Sequence, residues 1–100
     1  MAKFLYLYTG GSGVPADEDE RNEAMRKWES FLGGFGDDLV DMGAPFGSSR
    51  SVGGNGAGTK ATGYSVVSAA SLDDAVKRAK ACPIFDRPDG NVEVYEALEM

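Results

Sequence analysis

Apolar residues alternate with polar ones in some stretches of this chain and recur at helical spacing in others. Residues 4–8 put Phe4, Tyr6 and Tyr8 on one face of a strand and Leu5 and Leu7 on the other. Both faces are apolar, so this is a central strand that needs helices on one side and a further layer, such as a second subunit, on the other. Beyond Asp17, the residues Met25, Trp28, Phe31, Leu32, Phe35, Leu39 and Met42 recur at helical spacing. They predict a first long helix, ended by Gly43-Ala44-Pro45-Phe46-Gly47. Residues 48–53, weakly hydrophobic, fit an edge or interface strand. Tyr64, Val66 and Val67 mark a third strand, after which Ser71 is a good N-cap and Asp74 occupies the return position of a capping box. Leu72, Ala75, Val76, Ala79 and Cys82 share one face of the helix that follows; Asp73, Lys77, Arg78 and Lys80 take the other. Pro83 stops it. After an Asp89-Gly90 turn, Val92 and Val94 face one way along a last strand, Glu93 and Tyr95 the other.

The order β-α-β-β-α-β predicts an α+β, ferredoxin-like domain: a four-stranded antiparallel sheet with both helices on one face. Two helices leave the second face bare, and self-association through it is the economical solution. A length of 100 residues fits one domain spanning the whole chain, residues 1–100.

Composition removes several function classes. The net charge is −6 and no Lys/Arg cluster exceeds a pair, which argues against nucleic acid as a partner. No apolar run is long enough to span a bilayer and no leader pattern opens the chain, so a soluble, cytoplasmic protein with no membrane partner is expected. With no histidine and a single cysteine, the chain has no intrachain disulfide, Cys/His metal site or Ser-His-Asp apparatus, and neither a metal nor a cofactor is expected. Cys82 is expected to be a small buried apolar residue whose thiol pKa a helix C-terminus would raise.

Three local motifs invite functional readings. Gly11-Ser12-Gly13-Val14-Pro15-Ala16 fits the dinucleotide fingerprint G-x-G-x-x-A, but the chain is too short for the further βαβ units, and Asp37 and Asp38 fall in or near a helix; a flexible loop is expected. The acidic residues 17–20 suit a helix start, with Asp17 as N-cap and Glu20 as its partner. Residues 53–60 lack the lysine-then-hydroxyl ending of a phosphate loop and predict a connection between two strands. Gly33, Gly34 and Gly36 each cost a helix interior up to about 1 kcal/mol, which suggests a kink or, in preference, a close approach of the first helix to the sheet or a ligand.

Several segments, in this order, resemble the YCII-related family: Phe4-Leu5-Tyr6-Leu7-Tyr8, Phe35-Gly36-Asp37-Asp38-Leu39, Pro45-Phe46-Gly47, Gly63-Tyr64-Ser65-Val66-Val67, Ser71-Leu72-Asp73-Asp74-Ala75-Val76, Ala81-Cys82-Pro83 and Val92-Glu93-Val94-Tyr95-Glu96. The resemblance covers nearly the whole chain and implies a ferredoxin-like domain that pairs into a dimeric α+β barrel. Some members carry a histidine in the first helix, proposed to act with an aspartate in acid–base chemistry; the corresponding position here is approximately Leu32. Relatives with a histidine after the Cys-Pro pair differ at Ile84, and of the Asp-Gly-Pro-Phe motif only Ala44-Pro45-Phe46 remains as an echo.

Two functions fit these residues. One is a homodimeric domain that binds or transforms a small molecule in a pocket built from Tyr6, Tyr8, Trp28, Tyr64, Glu93 and Tyr95. Any proton transfer would fall to Glu93, Asp38, Asp41 or a tyrosine. The other is a non-catalytic accessory module in which the tyrosines pack the dimer interface.

Overall fold

A computed structural model describes residues 2–10, 17–50, 52–53 and 61–98. The chain runs β1 (Ala2–Thr9), α1 (Glu18–Gly33), a 3-10 turn (Gly36–Asp38), β2 (Leu39–Pro45), β3 (Ala61–Ala69), α2 (Leu72–Ala79), a second 3-10 turn (Pro83–Asp86) and β4 (Asn91–Ala97). The four strands form one sheet in the order β2-β3-β1-β4, and all three neighbouring pairs are antiparallel. This is the expected β-α-β-β-α-β arrangement, a ferredoxin-like α+β domain. No helix among the described residues is long and apolar enough to cross a membrane.

Period-two alternation decides which residues form the core. Phe4, Tyr6 and Tyr8 on β1 pair with Val67, Ser65 and Gly63 on β3, and with Glu96, Val94 and Val92 on β4. The β1 and β3 members of this set are buried against the helix layer together with Phe35, Ala75, Ala79, Cys82 and Ile84. Burial of each large apolar side chain such as Phe4 or Val67 contributes about 1.5–3 kcal/mol. The opposite phase, with Leu5, Leu7, Tyr64, Val66, Glu93 and Tyr95, forms the other face of the sheet, which carries neither helix.

The second helix starts as its sequence predicts but ends at Ala79, so Cys82 lies beyond it and Pro83 opens the second 3-10 turn. Ser71 is extended at φ −155° and its hydroxyl accepts from the Asp74 backbone N–H at 3.1 Å. Ala75 and Ala79 are buried while Leu72 and Val76 keep 46% and 39% exposure, so the small residues of the apolar stripe, not the large ones, meet the sheet. At the first helix, Asp17 caps by accepting from the Asp19 N–H.

The end of the first helix departs from expectation. It stops at Gly33, not Met42, and the second strand is Leu39–Pro45 in place of residues 48–53. The cause is Gly36, whose φ of +56° lies in the left-handed region that favours glycine. The spacing of Leu39 and Met42 continues the helical period only by coincidence, because the backbone is already extended at Leu39. Nor do the glycines mark a close helix approach: a Cβ at Gly33 or Gly36 would meet nothing within 4 Å. The close approach falls instead at Gly43 in β2, where φ is +77° and a Cβ would overlap the Tyr64 carbonyl. The β2–β3 register shifts on both sides of Asp41, so this edge strand bends over the mouth of the domain. The fingerprint loop at residues 11–16 and most of the glycine-rich connection at 53–60 lie outside the described residues.

Candidate functional site

A cleft of about 990 Å³ opens where α1, the end of β2 and the second 3-10 turn come together. Its size is that of ordinary small-molecule sites. Tyr8 and Ser65 line it from the sheet, Trp28 and Leu32 from α1, Phe46 from the end of β2, and Ile84 from the turn. The sheet supplies the polar groups. Tyr8 Oη donates to Ser65 Oγ at 2.9 Å, and Ser65 Oγ donates to the Met42 carbonyl at 2.8 Å. Both protons are thereby committed, and the lone pairs that remain on Tyr8 Oη suit a donor on a ligand.

The aromatic rings hold this hydroxyl pair in place. The Tyr8 and Trp28 rings meet edge to face with centroids 5.0 Å apart, and Trp28, Phe31 and Phe35 continue the series at 6.2 and 5.3 Å. Such pairs each add about 0.5–1.5 kcal/mol beyond their burial. Burial pushes the Tyr8 phenol well above its ordinary pKa, so at neutral pH it is a fixed, uncharged polar group. Burial likewise raises the Cys82 thiol to about 11, as expected of a packing residue with little thiolate character.

The six candidate residues do not converge. Tyr8 and Trp28 meet in the cleft. Tyr6, on the same face of β1, is fully buried and its hydroxyl donates to the Ala75 carbonyl of α2; burial raises its pKa to about 12. Tyr64 contributes to the cleft rim from the opposite phase of β3, where its ring stacks on Phe46 at 5.7 Å and its hydroxyl lies 3.4 Å from Asp41 Oδ2. Glu93 and Tyr95 stand on the helix-free face of β4, paired by the Tyr95 hydroxyl donating to Glu93 Oε2. That bond, followed by the carboxylate charge, raises the Tyr95 pKa. Tyr6 and Tyr8 therefore pack toward the helices, while Tyr64 and Tyr95 occupy the helix-free face.

Ser65 is the site residue that the sequence reading passed over. It sits between Gly63 and Val67 on the buried phase of β3, and a hydroxyl in a core phase was the available signal. Of the carboxylates considered for proton transfer, Asp38 is engaged by Arg78 at 3.0 Å, and Asp41 Oδ1 accepts from the Gly43 N–H at 2.8 Å. Among the described residues, no three His, Cys, Asp or Glu side chains stand together as a metal-binding group.

No family model matches the chain, and no curated protein matches it. Among solved structures, the chain is similar to 5-chloro-2-hydroxyhydroquinone dehydrochlorinase (TftG) from Burkholderia phenoliruptrix AC1100, in complex with 2,5-dihydroxybenzoquinone. The TM-score is 0.60 at 13% identity, with 100% of this chain and 96% of that chain covered. The likeness is one of fold. It places this domain beside an enzyme with the same sheet and helix arrangement and leaves the cleft residues to be read from their own chemistry.

Proposed function

We propose that this chain is a YCII-like, small-molecule-binding domain whose ligand occupies the cleft over Tyr8, Ser65 and Trp28. The observation that carries the reading is the Tyr8–Ser65–Met42 hydrogen-bond chain at the wall of an aromatic-lined cleft. A mostly apolar cavity with a few fixed polar groups is the usual form of such sites. The ligand class is a planar ring bearing a hydroxyl: the ring lies against Trp28 and Phe46, and the hydroxyl donates to Tyr8 Oη. Leu32 lines the cleft, at approximately the position where the resemblance places the family's histidine, and leucine carries no proton. Binding without histidine-type acid–base chemistry follows. TftG, solved with a dihydroxylated quinone, supplies a fold precedent for a ligand of this shape.

The same reading gives the helix-free face of the sheet to a second copy, since Leu5, Leu7 and Val66 form an apolar strip there.

Titration of hydroquinone, a planar ring whose hydroxyls keep their protons at neutral pH, by calorimetry, followed by protection of Trp28 fluorescence from a quencher, tests the cleft. Saturable binding that weakens about tenfold in Ser65→Ala and Trp28→Leu is expected, as one hydrogen bond or one ring contact is worth about 1–1.5 kcal/mol. Unchanged affinity in both variants would exclude this cleft as the ligand site.

A further inference from the structure

A second hollow, of about 890 Å³, lies between α1 and the segment joining α2 to the second 3-10 turn. Its charge is opposite to that of the chain. Four of the ten Lys and Arg residues, namely Arg26, Lys27, Arg78 and Lys80, line it against two acids, Glu23 and Asp86, although the chain as a whole carries −6. A cationic hollow on an anionic protein concentrates anions locally.

The four cations fall into two pairs. Arg78 is committed: its guanidinium lies 4.0 Å over the Phe35 ring, donates to Asp38 Oδ2 at 3.0 Å and reaches the Gly34 carbonyl at 3.2 Å. Lys27 is bridged to Asp86 at 3.1 Å. Both members of that bridge are more than half exposed, at 51% and 61%, so it contributes little and gives way easily. Arg26, from α1, and Lys80, the C-cap of α2, make no ion pair with any described residue. Phe31 and the 47%-exposed Phe85 provide aromatic surface in the same hollow.

We infer that this hollow is a binding site for a small aromatic carboxylate, its ring on the phenylalanine surface and its charge held by Arg26 and Lys80. Asp86 competes with the ligand for Lys27, so removal of this acid should tighten binding of the anion.

The test is amide NMR titration of the full chain with 1-naphthoate and with the neutral 1-naphthalenemethanol. The expected result is saturable naphthoate binding, with shifts centred on Ser30, Phe31, Gly34, Ala81, Cys82 and Phe85, which line this hollow and not the Tyr8 cleft, and about tenfold tighter than the alcohol, as for one charge-assisted hydrogen bond. The preference should shrink as salt rises, disappear in the Arg26→Gln/Lys80→Gln double variant, and grow in Asp86→Asn. Equal affinity for the two probes, shifts centred on Tyr8 and Ser65, or an Asp86→Asn variant that binds naphthoate no better than the parent would each overturn the assignment. Because the hollow and the Tyr8 cleft give different shift maps, failure here leaves the cleft reading standing.

Discussion

Tyr6 and Tyr8 sit two residues apart on the same face of one strand, and their hydroxyls do different work. Tyr6 reaches across the core to the Ala75 carbonyl and ties the sheet to α2, whereas Tyr8 turns to Ser65 at the cleft. The alternation at residues 4–8 located both rings correctly but carries no information on where each hydroxyl ends, because that depends on the helix packed above it. Tyr6→Phe should therefore destabilise the fold by about 1 kcal/mol, read by urea denaturation, and leave ligand affinity at the cleft unchanged. Alkaline pH acts on the same residues. The folded-state pKa values of Cys82 and Tyr6 are raised by burial, from 9.0 to about 11 and from 10.0 to about 12. Above their ordinary values the unfolded chain loses these protons first, so the stability they contribute is intact below pH 9 and falls as pH rises from 9 toward 12. Urea midpoints measured from pH 7 to 11 should fall from pH 9 upward, and Cys82→Ala should move the onset toward pH 10. A midpoint that stays flat to pH 11 would contradict the burial of both groups.

At the level of elements, the parts that were legible are those whose start and stop signals are local. Ser71 and Asp74 mark the start of α2 in the sequence and cap it in the structure, whereas the helix ends at Ala79, before Pro83, which opens the second 3-10 turn. The end of α1 was not legible, since three glycines within four positions fit a kink or a close approach inside a longer helix, and apolar spacing ran on through Leu39 and Met42. Only Gly36, with its left-handed backbone, decides the matter. Two substitutions separate the glycine roles. Gly43→Ala should cost at least the 1–3 kcal/mol typical of a residue forced into a disfavoured backbone region, because its Cβ also overlaps the Tyr64 carbonyl. Gly33→Ala, helical and facing open space, should instead stabilise by up to about 1 kcal/mol. Similar urea midpoints for the two variants would show that β2 does not bend as described. The same bend sets the cleft, for Met42, whose carbonyl takes the Ser65 proton, immediately precedes Gly43.

On the scale of the whole molecule, the sheet has two faces and helices for one. The domain is only 20 Å deep along its shortest axis, the thickness of a single helix layer on a single sheet. On the bare side, Leu5 faces Val66 and Tyr95, and Leu7 faces Tyr64 and Glu93. This apolar strip has polar flanks, the composition expected where a second copy packs. The pairing proposed above is accordingly a claim about mass: light scattering at micromolar concentration should give twice the 10.5 kDa of the chain. Leu5→Lys should return it to a single chain without unfolding it, because that side chain lies outside the helix-side core. The variant also separates the two halves of the functional reading. The Tyr8 cleft opens on the helix side of the sheet, so a monomeric Leu5→Lys protein that still binds hydroquinone would make the site complete within one chain. If affinity fell in step with dissociation, the partner would have to shape the cleft, and Tyr64, which reaches its rim from the helix-free face, is the residue through which that influence would pass. A parent protein that is already monomeric would remove the pairing and leave the cleft untouched.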